Sequence, residues 1–520
     1  MEKKIKTRQE IYDVILIGSG PSAVAALSSL TSKLKVLVVD NSVRPPRKVD
    51  ALKNQIGQKM LKGQNVAEIV NTLFENQKHI LKSDFAKKKY WGSEYIYGEI
   101  HKNSPNYSQA YGGFSKIWGA TCFPYANTDL LRMTKQFRSE ISNHISKIEK
   151  LIDVEHSGTK SNVYPGASTK NIKERSKLIG KFIDNAKLKT IKGLNFEASR
   201  LAISTKNQDK NKTQPAGCLN CGLCQVGCPV NFVWDSTRDF EIFMNSLKAE
   251  LVVGNLIKFK ELSDCVSITV KNSNNEEVYL TKKLLLTGGA KATSELLVSN
   301  NVYEKIQIFD SQTNLVCIWS RKKIDLEPTQ FSFTDFSVHF ENSNFKTHIQ
   351  LYRLNDYFIH RIRENYLVFK LLTNKCFKYL SSHIIFGFAY LPQEISGQFI
   401  YSNGSWEKHK SADHKVIRKT LNRTSLKLFK LGLLMLPWQI KLPTGFGNHI
   451  GGQFYLDKSW KTLNSNLNWI KIDDFGRPPK LKRVHICDNL VFGPIPVGSV
   501  TLTSMANTSR IVSKIMKSAT

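Results

Sequence analysis

Tyr12-Asp13-Val14-Ile15-Leu16-Ile17, Gly18-Ser19-Gly20-Pro21-Ser22-Ala23, Val24 to Leu30, and Lys35-Val36-Leu37-Val38-Val39-Asp40 together decide how this chain folds. The first run is short, apolar and of strand type. A glycine turn follows it, then a helix of small residues, then a second apolar strand ending on an acid. That order is a βαβ unit, so a parallel sheet is expected to begin at residue 12. In Gly18-x-Gly20-x-x-Ala23 the glycines allow a tight turn and bring the backbone close to a pyrophosphate at the start of the next helix. Asp40, twenty-two residues after Gly18, is spaced to accept a hydrogen bond from a ribose hydroxyl. A dinucleotide is the expected ligand, and placement this near the start of the chain favours FAD over a transient nicotinamide cofactor. The competing reading is a tight βα turn in an unrelated α/β domain.

Working outward, residues 50–90, 130–152 and 170–190 read as helices. Tyr111 to Ala120 is a glycine-rich turn in an aromatic context, and 206–215 is a polar loop. Leu284-Leu285-Leu286-Thr287-Gly288-Gly289-Ala290 is a second buried strand ending in glycines. From about 310 to 405 aromatic and β-branched residues alternate, as in Gln330–Phe340, which predicts an antiparallel sheet and a second domain. Val484–Ile486 and a helix over Thr501–Lys517 follow.

Four of the nine cysteines fall in one run, Cys218-x-x-Cys221-x-x-Cys224-x-x-x-Cys228-Pro229. Four thiolates at this spacing suit an iron–sulphur cluster, [4Fe–4S] or [3Fe–4S]. In two-cluster proteins the fourth cysteine of such a run serves the other cluster, and this chain has a single run. Zinc enclosed by four thiolates is the rival occupant, and a metal-free loop is the third reading. The other five cysteines are scattered. One tight cluster and an odd total favour a reducing compartment over a disulfide scaffold.

The composition narrows the class. Over 520 residues, 41% are hydrophobic and 23% charged, as in an ordinary globular chain and unlike a disordered or collagenous one. The formal net charge is +32, carried by 58 Lys and 17 Arg. Nucleic-acid readers lean on Arg for bidentate contacts, and no motif here calls for nucleic acid, so none is expected as a partner. No apolar stretch reaches the ~18 residues that span a bilayer. The apolar run Val14–Ile17 is too short for a secretion signal, so a cytoplasmic protein is expected. Arg361–Lys378 and Leu426–Trp438 mix cations with apolar residues and are candidates for peripheral contact with an anionic membrane. Core helices with basic outer faces are the competing reading.

Two further blocks carry chemistry. Gly445-Phe446-Gly447-Asn448-His449-Ile450-Gly451-Gly452 sets a histidine among glycines, which let backbone approach a flat ligand. Asp488-Asn489-Leu490-Val491-Phe492-Gly493-Pro494 to Ser499 leads into the final helix.

Taken together, the blocks resemble the glucose–methanol–choline family of flavin oxidoreductases across nearly the whole chain. They are Gly18 to Ala23 with Asp40; Gly112, Gly113 and Ser115; Gly288-Gly289-Ala290 before Leu296-Leu297; His449; and Asp488, Pro494 and Met505-Ala506. The resemblance implies an α/β fold. A Rossmann-like FAD-binding domain on a parallel sheet would be assembled from 1–125, 215–305 and 475–520, with a cysteine-rich loop at 215–232. A helical and loop insertion would occupy 126–214, and a substrate domain on an antiparallel sheet 306–474. Cofactor contacts are implied at Gly18, Gly20, Ala23, Asp40, Gly112, Gly113, Ser115 and Asp488.

The implied activity is oxidation of the CH–OH group of an alcohol or sugar-like substrate by hydride transfer to FAD. His449 takes the hydroxyl proton, since an imidazole titrates near operating pH. Electrons then leave for an external acceptor, through the cluster held by Cys218, Cys221, Cys224 and Cys228 if one is bound, which favours a dehydrogenase over an oxidase. Two positions depart from the pattern. Trp118 stands where the family often has Asn. The second catalytic position, usually His or Asn, falls at Gly498 or Ser499, and only the serine can hydrogen-bond a substrate. A flavin-dependent double-bond reductase and a binding subunit without catalysis remain as alternatives.

Overall fold

A computed structural model describes residues 6–45, 47–65, 68–69, 103–131, 133–154, 191, 193–203, 227–273, 275–323, 334, 336–341, 346–353, 373–456, 469–491 and 495–518. Its architecture is mixed α/β, with a largely parallel sheet and separate antiparallel sheets.

The largest sheet grows from the βαβ unit. Lys6–Ile17 lies between Val36–Asp40 and Glu276–Leu286, parallel to both. Glu250–Val253 continues the parallel set beyond Val36–Asp40, and Val484–Ile486 joins it beside Glu276–Leu286. A single row across the sheet reads Leu37, Ile15, Leu284 and Val484. Ile15, Leu37, Leu284 and Val484 are each fully buried, as continuous aliphatic runs must be when both faces of a parallel sheet are covered. One face is covered by the helices Pro21–Leu27, Lys135–Leu151, Ser236–Leu247 and Thr501–Lys517. Beneath the other face lies a second core, to which the helix Ala290–Ser299 contributes Leu296, Leu297 and Val298. Asn255–Glu261 and Val266–Lys271 extend the sheet as an antiparallel meander from the first half of Glu276–Leu286. That meander is not anticipated by the sequence reading. Asn255–Glu261 buries only Leu256 and Phe259, too sparse a signal to separate a strand from a loop.

The second sheet is wholly antiparallel. Its order is Leu433–Lys441, Thr313–Ser320, Ile384–Tyr390, Lys346–Arg353, Phe336–Glu341 and Leu194–Ala198. Val316, Ile318, Ile349, Leu351 and Ile385 point to one face, where the helix His414–Phe429 covers them with Ile417, Leu421 and Leu428. Alternation then sends Gln350, Tyr352, Phe388 and Tyr390 to the opposite face. A small sheet of Ser405–Lys410, Gln398–Ser402, Lys305–Asp310 and Ile450–Gly452 stands next to both.

Within 126–214, the helix Lys135–Leu151 packs against the final helix, and Leu194–Ala198 is the edge strand of the antiparallel sheet. Helical readings over 70–90 and 170–190 fall outside the described residues, as do 330–333, 361–372 and Pro494. Leu426–Trp438 is the end of the His414–Phe429 helix, a turn, and the start of an edge strand. Among the described residues no helix is long and apolar enough to cross a membrane.

Candidate functional site

The glycine turn sits at the carboxyl end of the central parallel strand. Gly18 has φ of 106°, and a Cβ there would lie 3.2 Å from the Thr287 carbonyl oxygen. The turn is pinned by Gly18 N–H to Val39 O at 2.8 Å and Thr287 N–H to Ile17 O at 3.2 Å. Gly20 is different: its backbone is extended, with φ −73°, and nothing lies within 4 Å of where its Cβ would be. It faces open space. At the tip of the neighbouring strand, the Asp40 carboxylate accepts from Ser19 Oγ at 2.9 Å and from the Ser42 backbone at 2.6 Å. Burial raises the Asp40 pKa, and these hydrogen bonds oppose the shift.

The Gly112–Ser115 block docks onto this turn. Ser19 Oγ accepts the Gly112 N–H at 2.9 Å, so one hydroxyl joins Asp40 to Gly112. The Gly112 carbonyl accepts from Ser115 Oγ at 2.6 Å and from Ser236 Oγ at 2.8 Å. Ser236 Oγ also reaches the Ser19 carbonyl at 3.1 Å. Gly112 has φ of 95°, and a Cβ there would meet the Thr237 methyl at 2.7 Å. Ser115 is therefore a buried fastener. Gly113 faces the cavity, and Ala23 is buried in its helix.

Asp488 lies beneath a second turn and does not line the cavity. One carboxylate oxygen accepts from Gly289 N–H at 2.9 Å and from the Thr293 hydroxyl at 2.5 Å, and the other accepts from Leu490 N–H at 2.9 Å. Burial pushes its pKa up to about 6 against these three donors. Asn489 completes the stitch, accepting from Ala290 N–H at 2.9 Å and donating to the Ile450 carbonyl at 2.7 Å. Three donors account for the carboxylate, so Asp488 shapes the Gly288–Ala290 turn from below.

A cavity of about 1020 Å³ opens between the two sheets. On one side it is lined by Gly18, Gly20, Asp40 and Gly113, and on the other by Gln350, Tyr352, Phe388 and Tyr390. His449 and Ser499 line the same cavity. The His449 ring lies 4.6 Å from that of Tyr390, tilted by 34°. Burial lowers its pKa to about 4, so the imidazole is neutral at pH 7. Its Nδ1 is buried without a hydrogen-bond partner. The turn that carries it is held by Ser311 N–H to His449 O at 3.0 Å and by Asn106 Nδ2 to Asn448 Oδ1 at 3.0 Å. Ser499 Oγ donates to the Thr121 carbonyl at 2.8 Å, which leaves its oxygen able to accept. Gly498 has φ of 118°, and a Cβ there would lie 3.1 Å from the His348 ring.

Sequence reading missed several wall residues. Trp118, which the sequence reading named only as a departure from the family pattern, lines the cavity and donates its indole N–H to the Trp234 carbonyl at 2.7 Å. Lys291 lines it, 3.9 Å over the Tyr107 ring and paired with Glu295 at 3.0 Å. Gln350, Tyr352, Phe388 and Tyr390 come from strands whose alternation was legible, but no local signal told which face would meet a ligand.

Cys218, Cys221 and Cys224 lie outside the described residues. Cys228 is described and half-buried, and the Pro229 carbonyl after it packs so closely on the helix Arg47–Leu61 that a Cβ at Gly57 would clash with it. Among the described residues there is no group of three or more metal-ligating side chains. No protein-family model matches the chain, and no curated protein matches it.

Proposed function

We propose that the chain is an FAD-dependent oxidoreductase of the glucose–methanol–choline type, oxidising the CH–OH group of an alcohol or sugar-like substrate. One observation carries this reading. The Gly18–Gly20 turn, Asp40 and Gly113 share a single cavity with a neutral imidazole, His449, and with one face of an antiparallel sheet. The parallel strand order around the turn supports a Rossmann-like FAD domain, and the Gln350–Tyr390 wall supports a substrate domain on the second sheet.

The residues fit the cofactor. The free space beyond Gly20 leaves room for a pyrophosphate against backbone. Asp40 offers a carboxylate at the tip of the second strand. The cavity's ~1020 Å³ matches the upper end of the range, about 300–1,000 Å³, that encloses small-molecule ligands. When bound, FAD supplies the hydride acceptor.

The protein's own part is positional and protonic. Burial keeps His449 uncharged at pH 7 and, by lowering its pKa to about 4, makes it a weaker base than the imidazole titrating near operating pH that the sequence leads one to expect. With Nδ1 enclosed, Nε2 is the ring nitrogen left to take the hydroxyl proton as the C–H bond breaks. The Ser499 oxygen accepts a hydrogen bond from the substrate and orients it. The aromatic wall of Tyr352, Phe388 and Tyr390 excludes water. The cysteine run enters as a route for electrons to an external acceptor on its spacing alone, and an iron and acid-labile sulphide assay tests it.

The cofactor spectrum of the purified chain is the first test: flavin bands, released as FAD on denaturation, are expected. Anaerobic flavin reduction by a panel of alcohols is the second. His449→Ala should slow that reduction at least ~100-fold while leaving the flavin bound. Reduction at full rate in that variant would remove His449 from its role. The Ser499 hydrogen, already donated to Thr121, favours a second reading, a binding subunit without catalysis. A flavin-free protein that cannot be reconstituted would select it.

A further inference from the structure

We propose that Gln350 sets substrate specificity: its side-chain amide donates a hydrogen bond to a second, uncharged oxygen of the alcohol, so the site selects a substrate with an oxygen besides the hydroxyl being oxidised. This inference rests on the reading of the cavity as an alcohol site and adds a residue to it. Among the described residues that line the cavity, two side chains hold an enclosed polar atom with no hydrogen-bond partner. They are His449 at Nδ1 and Gln350 at Nε2. Asp310, Gln312, Asn314 and Gln393 also bury an atom without a partner, but none of these four lines the cavity.

Strand alternation accounts for where Gln350 sits. Ile349 and Leu351 on either side are fully buried in the core beneath the helix His414–Phe429, so Gln350 is turned to the opposite face. There it lies between Ser337 on one neighbouring strand and Phe388 on the other, with 2% of its surface exposed. The amide is held by its oxygen. Tyr352 donates its O–H to Gln350 Oε1 at 3.0 Å, and the Thr334 hydroxyl donates to the same atom at 3.4 Å. Thr334 Oγ1 is 2.9 Å from Thr121 Oγ1, and the Thr121 carbonyl accepts from Ser499. A chain of polar groups thus runs from Ser499 to Gln350. With Oε1 taken by two hydroxyls, the two N–H bonds of Nε2 are the end left for a ligand.

An enclosed N–H without an acceptor is a standing cost to the fold, and a ligand oxygen that reaches it removes that cost. The wall residues around it, Thr121, Tyr352, Phe388 and Tyr390, carry no charge. A carboxylate or phosphate brought here would be buried without a counter-charge. The complement is a neutral acceptor, a hydroxyl, ether or carbonyl oxygen. A plain aliphatic chain offers none and leaves Nε2 unpaired, which is the source of discrimination. Register places the group relative to the proposed base. Gln350 pairs with Phe388 and His348 with Tyr390, so Tyr390 is one same-face step, ~7 Å along the strand, from Phe388. The His449 ring rests 4.6 Å from that of Tyr390. Gln350 and His449 therefore bracket the Phe388 and Tyr390 rings and reach different carbons of one substrate.

The test is isothermal titration calorimetry of the full chain with cyclohexanol and with each positional isomer of cyclohexanediol, which vary where the second oxygen stands on one ring. At least one diol is expected to bind about tenfold more tightly than cyclohexanol. Gln350→Met, similar in length and without a donor, should erase that preference. If its unfolding midpoint shows that it does not fold, Gln350→Asn, which keeps the amide but draws it back by one carbon, takes its place and should lose the preference too. A wild-type chain that binds no diol more tightly than cyclohexanol overturns the proposal. So does a diol preference that the folded variant keeps in full. Equal weakening of the diols and of cyclohexanol also overturns it, and leaves Gln350 a structural residue. Flavin content is read from the absorbance spectrum of the same sample, so a flavin-free chain counts against the oxidoreductase reading while the heats still report on Gln350.

Discussion

Gly20→Ala separates folding from cofactor binding. The Gly20 backbone is extended, at φ −73° and ψ −173°, a region any residue adopts. No atom lies within 4 Å of the new methyl. The fold therefore has no reason to reject alanine, and the unfolded chain loses freedom, which stabilises by ~0.4–1 kcal/mol. The methyl nevertheless enters the space between the turn and the cavity, where a pyrophosphate would lie against backbone. Overpacking of one methyl costs about 1–3 kcal/mol, so FAD affinity should fall roughly 5- to 150-fold. Two measurements on one preparation decide it: the thermal unfolding midpoint of the apoprotein and the dissociation constant from flavin fluorescence titration. The expected result is an unchanged or slightly raised midpoint with weakened binding. If Gly20→Ala holds FAD with full affinity, the turn does not seat the pyrophosphate. If it unfolds instead, the open space at Gly20 is not there.

Gly18→Ala should behave oppositely. At φ 106° and 3.2 Å from a pinned backbone oxygen, it strains the fold by at least ~1–2 kcal/mol, read as a lower unfolding midpoint even without flavin. Arg200 and Glu149 form a buried pair at 2.7 Å, 1% and 3% exposed. Arg200→Met should cost about 3–5 kcal/mol by removing the guanidinium that offsets the buried Glu149 charge, and Arg200→Met/Glu149→Leu should recover part of it; denaturant unfolding checks both, and no recovery would refute the pairing argument. Stability should rise from pH 4 to 6.5. Burial lowers His144, His449 and His485 to about 4 and His339 to about 3, so the unfolded state binds more protons in that window. The raised carboxyls Asp310 and Asp488, at about 7 and about 6, act in the opposite sense but are fewer. A midpoint that falls across the window, by calorimetry, would contradict the balance.

The βαβ unit was legible because it needs only local information: a buried aliphatic run, glycines where φ is positive, an acid at a strand end. The antiparallel sheet was legible as alternation over 310–405. What sequence did not carry was which residues meet across distance. The Ser19 hydroxyl that joins Asp40 to Gly112, and Ser236 that clamps both turns, connect segments 93 and 217 positions apart. Asp488 illustrates the same limit. A strand-end acid next to a glycine turn reads as a ligand contact, yet three donors from Gly289, Thr293 and Leu490 account for its oxygens. Likewise Gln350 and Ile349 are neighbours of similar strand context, but only one faces the cavity.

The central strand, Lys6–Ile17, is synthesised well before its partner Glu276–Leu286. Val484–Ile486, which completes that side of the sheet, follows about 470 residues after Ile17. At ~5–20 residues per second the roughly 270 residues from Ile17 to Leu286 take about 13–54 s, during which Val14–Ile17 lacks that partner strand. Nascent chains arrested before residue 276 should therefore bind a general hydrophobic chaperone, and those arrested past 491 should release it. The cavity, built from residues as far apart as Gly18 and Ser499, becomes available to any ligand only at that last stage.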